Sequence, residues 1–227
     1  SLGVQVEMSS DYKKISITGP YQLKAFDKAI PSDWEAVAFP LIAGLITDSK
    51  IVIDNVDGSG TQGDDAIVSV LQSVGADIQW NKETSQLIVT GGNRLSTENL
   101  PEKTLRVNLA GFPDAICALA VIACFIEGKT VLEDIGVCRR KETDRIVVMK
   151  SELEKLGAKV EEGEDYLAIY GNSPLLANGE KNPNFNLHGG SVESFDDHRV
   201  AMSLACLGLG LPEGEQVIVN DAECCSV

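Results

Sequence analysis

The sequence predicts an α/β protein built from repeated β-α-β-α-β-β units, with apolar helices buried inside and sheets outside. Three observations predict it. The stretches "SVGADIQWNKETSQLIVTGG" (73–92) and "KLGAKVEEGEDYLAIYGN" (155–172) share one plan: Gly-Ala, a strand-like piece, a polar turn, and a second strand-like piece closing on glycine. Acid-led apolar helices recur, with Asp33, Asp114 and Asp197 roughly 80 residues apart, as a large internal repeat requires. And 227 residues, 44% of them hydrophobic, suffice to bury a sizeable core.

The opening "SLGVQVEMSSDYKKISITG" reads as the same hairpin, so residues 1–29 are expected to be the tail of a mostly missing domain. Residues 30–227 then form most of a second domain, with repeats at about 30–92, 105–172 and an incomplete one at 193–227. A terminus rarely falls inside a packing unit, so the chain is expected to be part of a longer protein.

Within each repeat the first helix ("SDWEAVAFPLIAGLI", "PDAICALAVIACFI", "DDHRVAMSLACLGLGL") is apolar after its opening residues and is expected to be buried all round. The second is amphipathic. Ile146, Met149, Leu153 and Leu156 recur at spacings of three and four, with Lys150, Glu152, Glu154 and Lys155 on other faces; Ile67, Val70, Leu71 and Val74 match them in the earlier repeat. In the hairpins Leu87, Val89, Leu167 and Ile169 alternate toward one covered face. The segment 171–193 is the most loop-like.

A formal net charge of -15 argues against a nucleic-acid-binding module but not against a pocket for small anions, whose field a few nearby charges set. No apolar run reaches membrane-spanning length, and the start lacks the order of a signal peptide. Six scattered cysteines, several in apolar runs, suit buried reduced thiols and a cytoplasmic location. His188 and His198 belong to no zinc-ligand spacing, so no metal is expected and no cofactor is implied.

Chemistry is expected at the turns that leave a strand and enter a helix, where unpaired N–H groups favour anions. "DGSGTQGDD" (57–65) matches a dinucleotide fingerprint literally, but its repeat counterpart "GVCRRKETDR" (136–145) has one glycine, and no acid follows at the ribose-binding distance. A glycine-rich turn is the better reading. In the second turn Thr143 suits the N-cap and Asp144 the first helical turn. Its cations oppose the helix dipole unless an anion is bound, and a solvated, internally paired cluster fits the spacing as well. Asp114 and Asp197, taken singly, read as helix caps, and "VEEGED" (160–165) as a solvated hairpin tip.

Taken together, "FPDA", "RRKETDR" and "DDHRVAM" in this order, with the repeats around them, resemble the 5-enolpyruvylshikimate-3-phosphate synthases along nearly the whole chain, in the C-terminal half of that family's polypeptide. The resemblance implies an inside-out α/β barrel of enolpyruvyl-transferase type. It implies transfer of the enolpyruvyl group of phosphoenolpyruvate to the 5-hydroxyl of shikimate 3-phosphate, on the route to chorismate and the aromatic amino acids. Its partners would be those two substrates and the missing N-terminal half. Asp114 would be the general base, Glu142 the acid that protonates carbon, and Arg145 and Arg199 the phosphoenolpyruvate clamps. Lys141 would lie by the shikimate end or the proton relay, and His198 by the phosphate.

There are two departures from the family pattern. A lysine expected near the chain end is absent, with Val227 near its place, and Val137 stands where the family often has asparagine. The fragment alone is expected to lack turnover while binding phosphate or phosphoenolpyruvate weakly. The rival readings are a UDP-N-acetylglucosamine enolpyruvyl transferase and a non-catalytic scaffold of the same fold.

Overall fold

Val6, Met8, Ile15 and Ile17 pair across a hairpin in the computed structural model, which describes residues 3–27 and 29–226. The strands are β1 (Val6–Met8) and β2 (Ile15–Ile17), joined by a turn in which Asp11 accepts from the Ser9 hydroxyl and the Lys13 N–H. They belong to the first of two compact units, Ser1–Ile30; the second is Pro31–Val227.

In the second unit Asp33 caps α1 (Trp34–Ile46) by accepting the Glu35 N–H at 3.1 Å. There follow β3 (Lys50–Ile53), α2 (Ala66–Gln72), β4 (Asp77–Asn81) and β5 (Gln86–Thr90), forming an antiparallel sheet of order β3-β5-β4. The leading strand of this repeat is reduced to one parallel bridge, Ser32 to Val56. A short β6 (Leu95–Ser96) pairs with the next repeat, which is complete: β7 (Thr104–Asn108), α3 (Ile116–Ala123), β8 (Ile126–Glu133), α4 (Arg145–Lys155), β9 (Lys159–Glu162) and β10 (Tyr166–Gly171). There β7 runs parallel to β8, and β8-β10-β9 repeats the order of the first sheet. The third repeat contributes β11 (Gly190–Glu193), α5 (His198–Leu209) and β12 (Val217–Asn220), a parallel βαβ pair.

The fold is therefore mixed α/β, with α1, α3 and α5 packed on one another and each backed by its own sheet. All eight residues of α3 are buried, because α1, α5, α4 and strands β8 and β10 surround it. The expectation of burial all round holds for that helix only. Ala36 and Pro40 on α1, and Ala205 and Leu209 on α5, face outward. The amphipathic stripe of α4 is buried as its spacing requires; in α2 and just past it Ile67, Leu71 and Val74 are buried, Val70 packs partly buried against the core, and Val68 is buried as well.

Glu152 corrects the helix-face reading. It is 1% exposed, because its carboxylate accepts from Lys155 Nζ at 2.7 Å, Ser151 Oγ at 2.8 Å and the Glu193 N–H at 3.0 Å. That last bond ties α4 to β11.

The glycine that closes each hairpin repeat has a packing reason. A Cβ on Gly91 would lie 1.9 Å from the Thr47 carbonyl oxygen and 2.1 Å from that of Gly44, at the end of α1. One on Gly171 would lie 1.9 Å from the Ala123 oxygen, at the end of α3, and 2.4 Å from that of Ile126, at the start of β8. The strand end and the helix end can meet only without a side chain.

All six cysteines are free; Cys117, Cys124 and Cys138 are buried, and burial pushes the Cys138 thiol up to about 11. Among the described residues no helix is long and apolar enough to cross a membrane.

Candidate functional site

The helix beginnings place their first-turn residues together. Asp114 lies in a 3-10 turn, Pro113–Ala115, just ahead of α3, and makes no capping bond. That corrects its reading as a cap. Its carboxylate instead accepts from Lys141 Nζ at 3.1 Å and Arg145 Nη1 at 2.5 Å. The Ala115 N–H bonds the Phe112 carbonyl, and the Asp114 carboxylate points toward the start of α4.

The N-cap of α4 is Asp144, one residue later than expected: its Oδ1 accepts the Ile146 and Val147 N–H groups. Thr143 therefore stands outside the helix, and Arg145 becomes its first residue. This shift matters, because Arg145 starts the helix pointing inward, with its side chain 1% exposed. A bare buried guanidinium would be prohibitively costly, so its donors must be paired. Nε donates to Asp197 at 2.8 Å, Nη2 to Glu142 at 2.7 Å, and Nη1 to Asp114. Burial opposes its charge, but Asp197 and Asp114 more than offset that and raise its pKa. Asp197 does two jobs, since its Oδ1 also accepts the Arg199 N–H at 2.9 Å as the cap of α5.

Arg199 is ion-paired with Glu35, in the first turn of α1, and its Nε lies 4.0 Å from Asp114. So Glu35, Asp114, Lys141, Glu142, Arg145 and Arg199 meet in one cluster drawn from the beginnings of α1, α3, α4 and α5. His198 starts α5 beside Arg199 and is partly buried, but its imidazole makes no hydrogen bond among the described residues. Burial pushes the Asp114 carboxyl up, yet the Lys141 and Arg145 bonds outweigh that and hold it below the usual carboxylate range.

Not every cation in 139–145 joins the cluster. Arg139 donates to Asp144 at 2.8 Å and to the carbonyls of Glu164 and Gly163 at 2.9 and 2.6 Å, so it fastens the turn to the β9–β10 tip. The tip is therefore not merely solvated: Asp165 also accepts the Gly136 N–H. Arg140 is exposed and makes no ion pair among the described residues. Together with Val137, which is 52% exposed, it lines an open depression of 820 Å³. Val227 lies outside the described residues.

In the 57–65 turn Asp57 accepts from the Ser59 N–H at 2.9 Å and the Thr61 hydroxyl at 3.1 Å, while Gln62 Oε1 accepts the Trp34 N–H at 2.9 Å. The turn thus holds itself and the start of α1 through side chains.

Two acids at the site were missed in the sequence: Glu35 and Asp64. Glu35 sits inside a stretch that reads as a helix opening, and no local signal links residue 35 to residue 199. Asp64 Oδ1 is buried with no hydrogen-bond partner among the described residues. Burial first, then the charges of Glu35, Asp114 and Asp33, raise its pKa. A raised folded-state pKa means the protonated form favours the fold. That contribution is fully present below the unfolded value near 4 and is lost as pH rises through the folded one. Asp64→Asn is therefore expected to stabilise the protein at pH 7 by about 1 kcal/mol, roughly 2–4 °C in Tm, and to give no gain below about pH 4. Thermal melts across that range test it; an equal gain at both ends would contradict the assignment.

The comparisons with known proteins agree in kind. Residues 1–227 match the family model for EPSP synthase (3-phosphoshikimate 1-carboxyvinyltransferase). A 3-phosphoshikimate 1-carboxyvinyltransferase from Ruminiclostridium cellulolyticum is 35% identical over 217 residues, 96% of this chain and 46% of that protein. One from Natronomonas pharaonis is 36% identical over 192 residues, 84% of this chain and 39% of that protein. An EPSP synthase structure from Acinetobacter baumannii superposes with a TM-score of 0.73 at 26% identity, covering 98% of this chain and 48% of that one. The chain spans about half the length of the curated relatives it matches.

Proposed function

The chain belongs to the EPSP synthase family, and from that premise we propose that it supplies one wall of a site transferring the enolpyruvyl group of phosphoenolpyruvate to the 5-hydroxyl of shikimate 3-phosphate. The bond between the hydroxyl oxygen and the enolpyruvyl carbon forms, the carbon–oxygen bond to phosphate breaks, and the hydroxyl proton must leave. In this reading Asp114 takes that proton and Glu142 delivers one to the methylene carbon; as phosphate leaves the tetrahedral adduct, a proton is lost again from the new methyl group, which restores the double bond. Arg145 and Arg199 hold the carboxylate and phosphate of phosphoenolpyruvate with forked guanidinium groups, with Lys141 toward the shikimate end and His198 by the phosphate. The complementary half found in the relatives would close the cleft, with residues 1–29 as the tail of that companion domain, and the cytoplasm is the proposed location.

The observation that carries this reading is the contact of Asp114 with both Lys141 and Arg145. It puts a base against the cations that would hold the anion. A bound anion would draw those cations away from Asp114 and restore its basicity, so binding and base activation are one event.

The test is phosphate release from the two substrates by the chain joined to the complementary half present in its relatives. Asp114→Asn is expected to lower kcat by roughly 10²–10⁴-fold while leaving phosphoenolpyruvate affinity within a few-fold. A variant that keeps its kcat would remove Asp114 from the chemistry. The chain alone is expected to show no turnover.

A further inference from the structure

The cluster is not a bare anion receiver. Lys141, Arg145 and Arg199 face Asp114, Glu142, Asp197 and Glu35, so every cation already has a carboxylate partner. An incoming anion must displace some of them, and the four differ in how firmly they are held. Asp197 is fully buried and bonded to both the Arg145 guanidinium and the Arg199 N–H. Asp114 accepts from two cations and is 19% exposed. Glu142 and Glu35 are looser: among the described residues each carboxylate has one cationic partner, and each reaches solvent, at 47% and 31% exposure. Glu142 has a role in the reaction proposed above. Glu35 has none, and it occupies the guanidinium of Arg199.

We propose that Glu35 is a positioning residue, an internal competitor that occupies Arg199 until an anion displaces it. The idea rests on the cluster being the anion site of the proposed reaction. A carboxylate bound to the outer edge of a guanidinium presents any ligand with two costs: loss of that pair, and repulsion from the displaced group nearby. A phosphorylated carboxylic acid meets both by bridging Arg199 to Arg145 and Lys141 at once. A simple monoanion reaches only one cation and binds more weakly, but it must break the same pair. Glu35 comes from the start of α1 and its backbone N–H is held by Asp33, so the side chain can swing toward water without unwinding the helix.

The experiment measures calorimetric affinities of phosphoenolpyruvate, inorganic phosphate and pyruvate for the 227-residue chain at pH 7.5 and fixed ionic strength. Pyruvate represents the monoanion. Glu35→Gln is expected to tighten pyruvate by about tenfold and phosphoenolpyruvate by at least as much, since each must break the same pair to reach Arg199. Glu35→Ala is expected to do the same, so a folding defect peculiar to one variant cannot mask the effect. In Glu35→Gln combined with Arg199→Gln the gain should vanish, since the competitor acts only through that arginine. Unchanged affinities with phosphoenolpyruvate still bound by the parent chain overturn the role of Glu35 and leave the anion site standing. No binding of any anion by the parent or the variants overturns both. A gain that survives loss of Arg199 would mean Glu35 acts by general charge rather than by competition, and it also overturns the proposal.

Discussion

Arg145→Met is expected to cost about 3–5 kcal/mol of stability, roughly 10 °C or more in Tm, and to abolish phosphate binding. The size follows from what the substitution leaves behind. Asp197 is fully buried and would lose its one charged partner among the described residues, while Asp114 and Glu142 would each lose a bond of 2.5–2.7 Å. An uncompensated buried carboxylate is the expensive outcome, not the missing attraction. The double variant Arg145→Met with Asp197→Asn should therefore recover part of the loss, because asparagine keeps the oxygen that caps α5 and removes the stranded charge. Anion binding should not return with it. Melting curves and phosphate titrations separate the two effects. A single variant that melts within about 2 °C of the parent would show that the buried network contributes little.

Gly171→Ala is expected to destabilise by about 3 kcal/mol, roughly 6–12 °C in Tm, with Gly91→Ala close behind. Each new methyl would meet two backbone carbonyl oxygens well inside contact distance, and neither oxygen belongs to a side chain that can rotate away. Relief would require separating the hairpin from the end of α3 or α1, which loosens the packing of β10 or β5 on the buried helices. Gly179→Ala is the control. Its Cβ would meet nothing within 4 Å, and only its φ of +82° opposes alanine, so a loss near 1 kcal/mol is expected. If Gly171→Ala melts no lower than Gly179→Ala, the close approach is not what places glycine there.

The repeat and the motif resemblance were legible in the sequence because both are written locally. Gly-Ala followed by two strand-like pieces, an apolar helix after an acid, and a stripe at spacings of three and four depend on neighbours along the chain. Alternation and helical periodicity report which face is buried before any partner is known. The same locality explains the errors. Glu152 has the spacing of a solvent-facing residue, and only β11, some forty residues on, supplies the N–H that lets its carboxylate stay buried. Thr143 and Asp144 are both acceptable caps, and the choice between them fell to Arg145, whose side chain must turn inward to meet Asp197.

The amino-acid order by itself determined the architecture of buried helices and outer sheets, the acids that lead the helices, and the family pattern carried by residues 112–115, 139–145 and 196–202. Tertiary structure alone decided the pairing of charges: Asp114 taken from capping to contact with Lys141 and Arg145, Arg139 fastened to a hairpin tip, and Glu35 set against Arg199 across the helix core. The physical reason is that hydrophobic periodicity is a one-dimensional signal, whereas an ion pair between residues 35 and 199 exists only because two helix beginnings come within reach of each other. Which carboxylate neutralises which cation is settled by distance and burial, and neither is written along the chain.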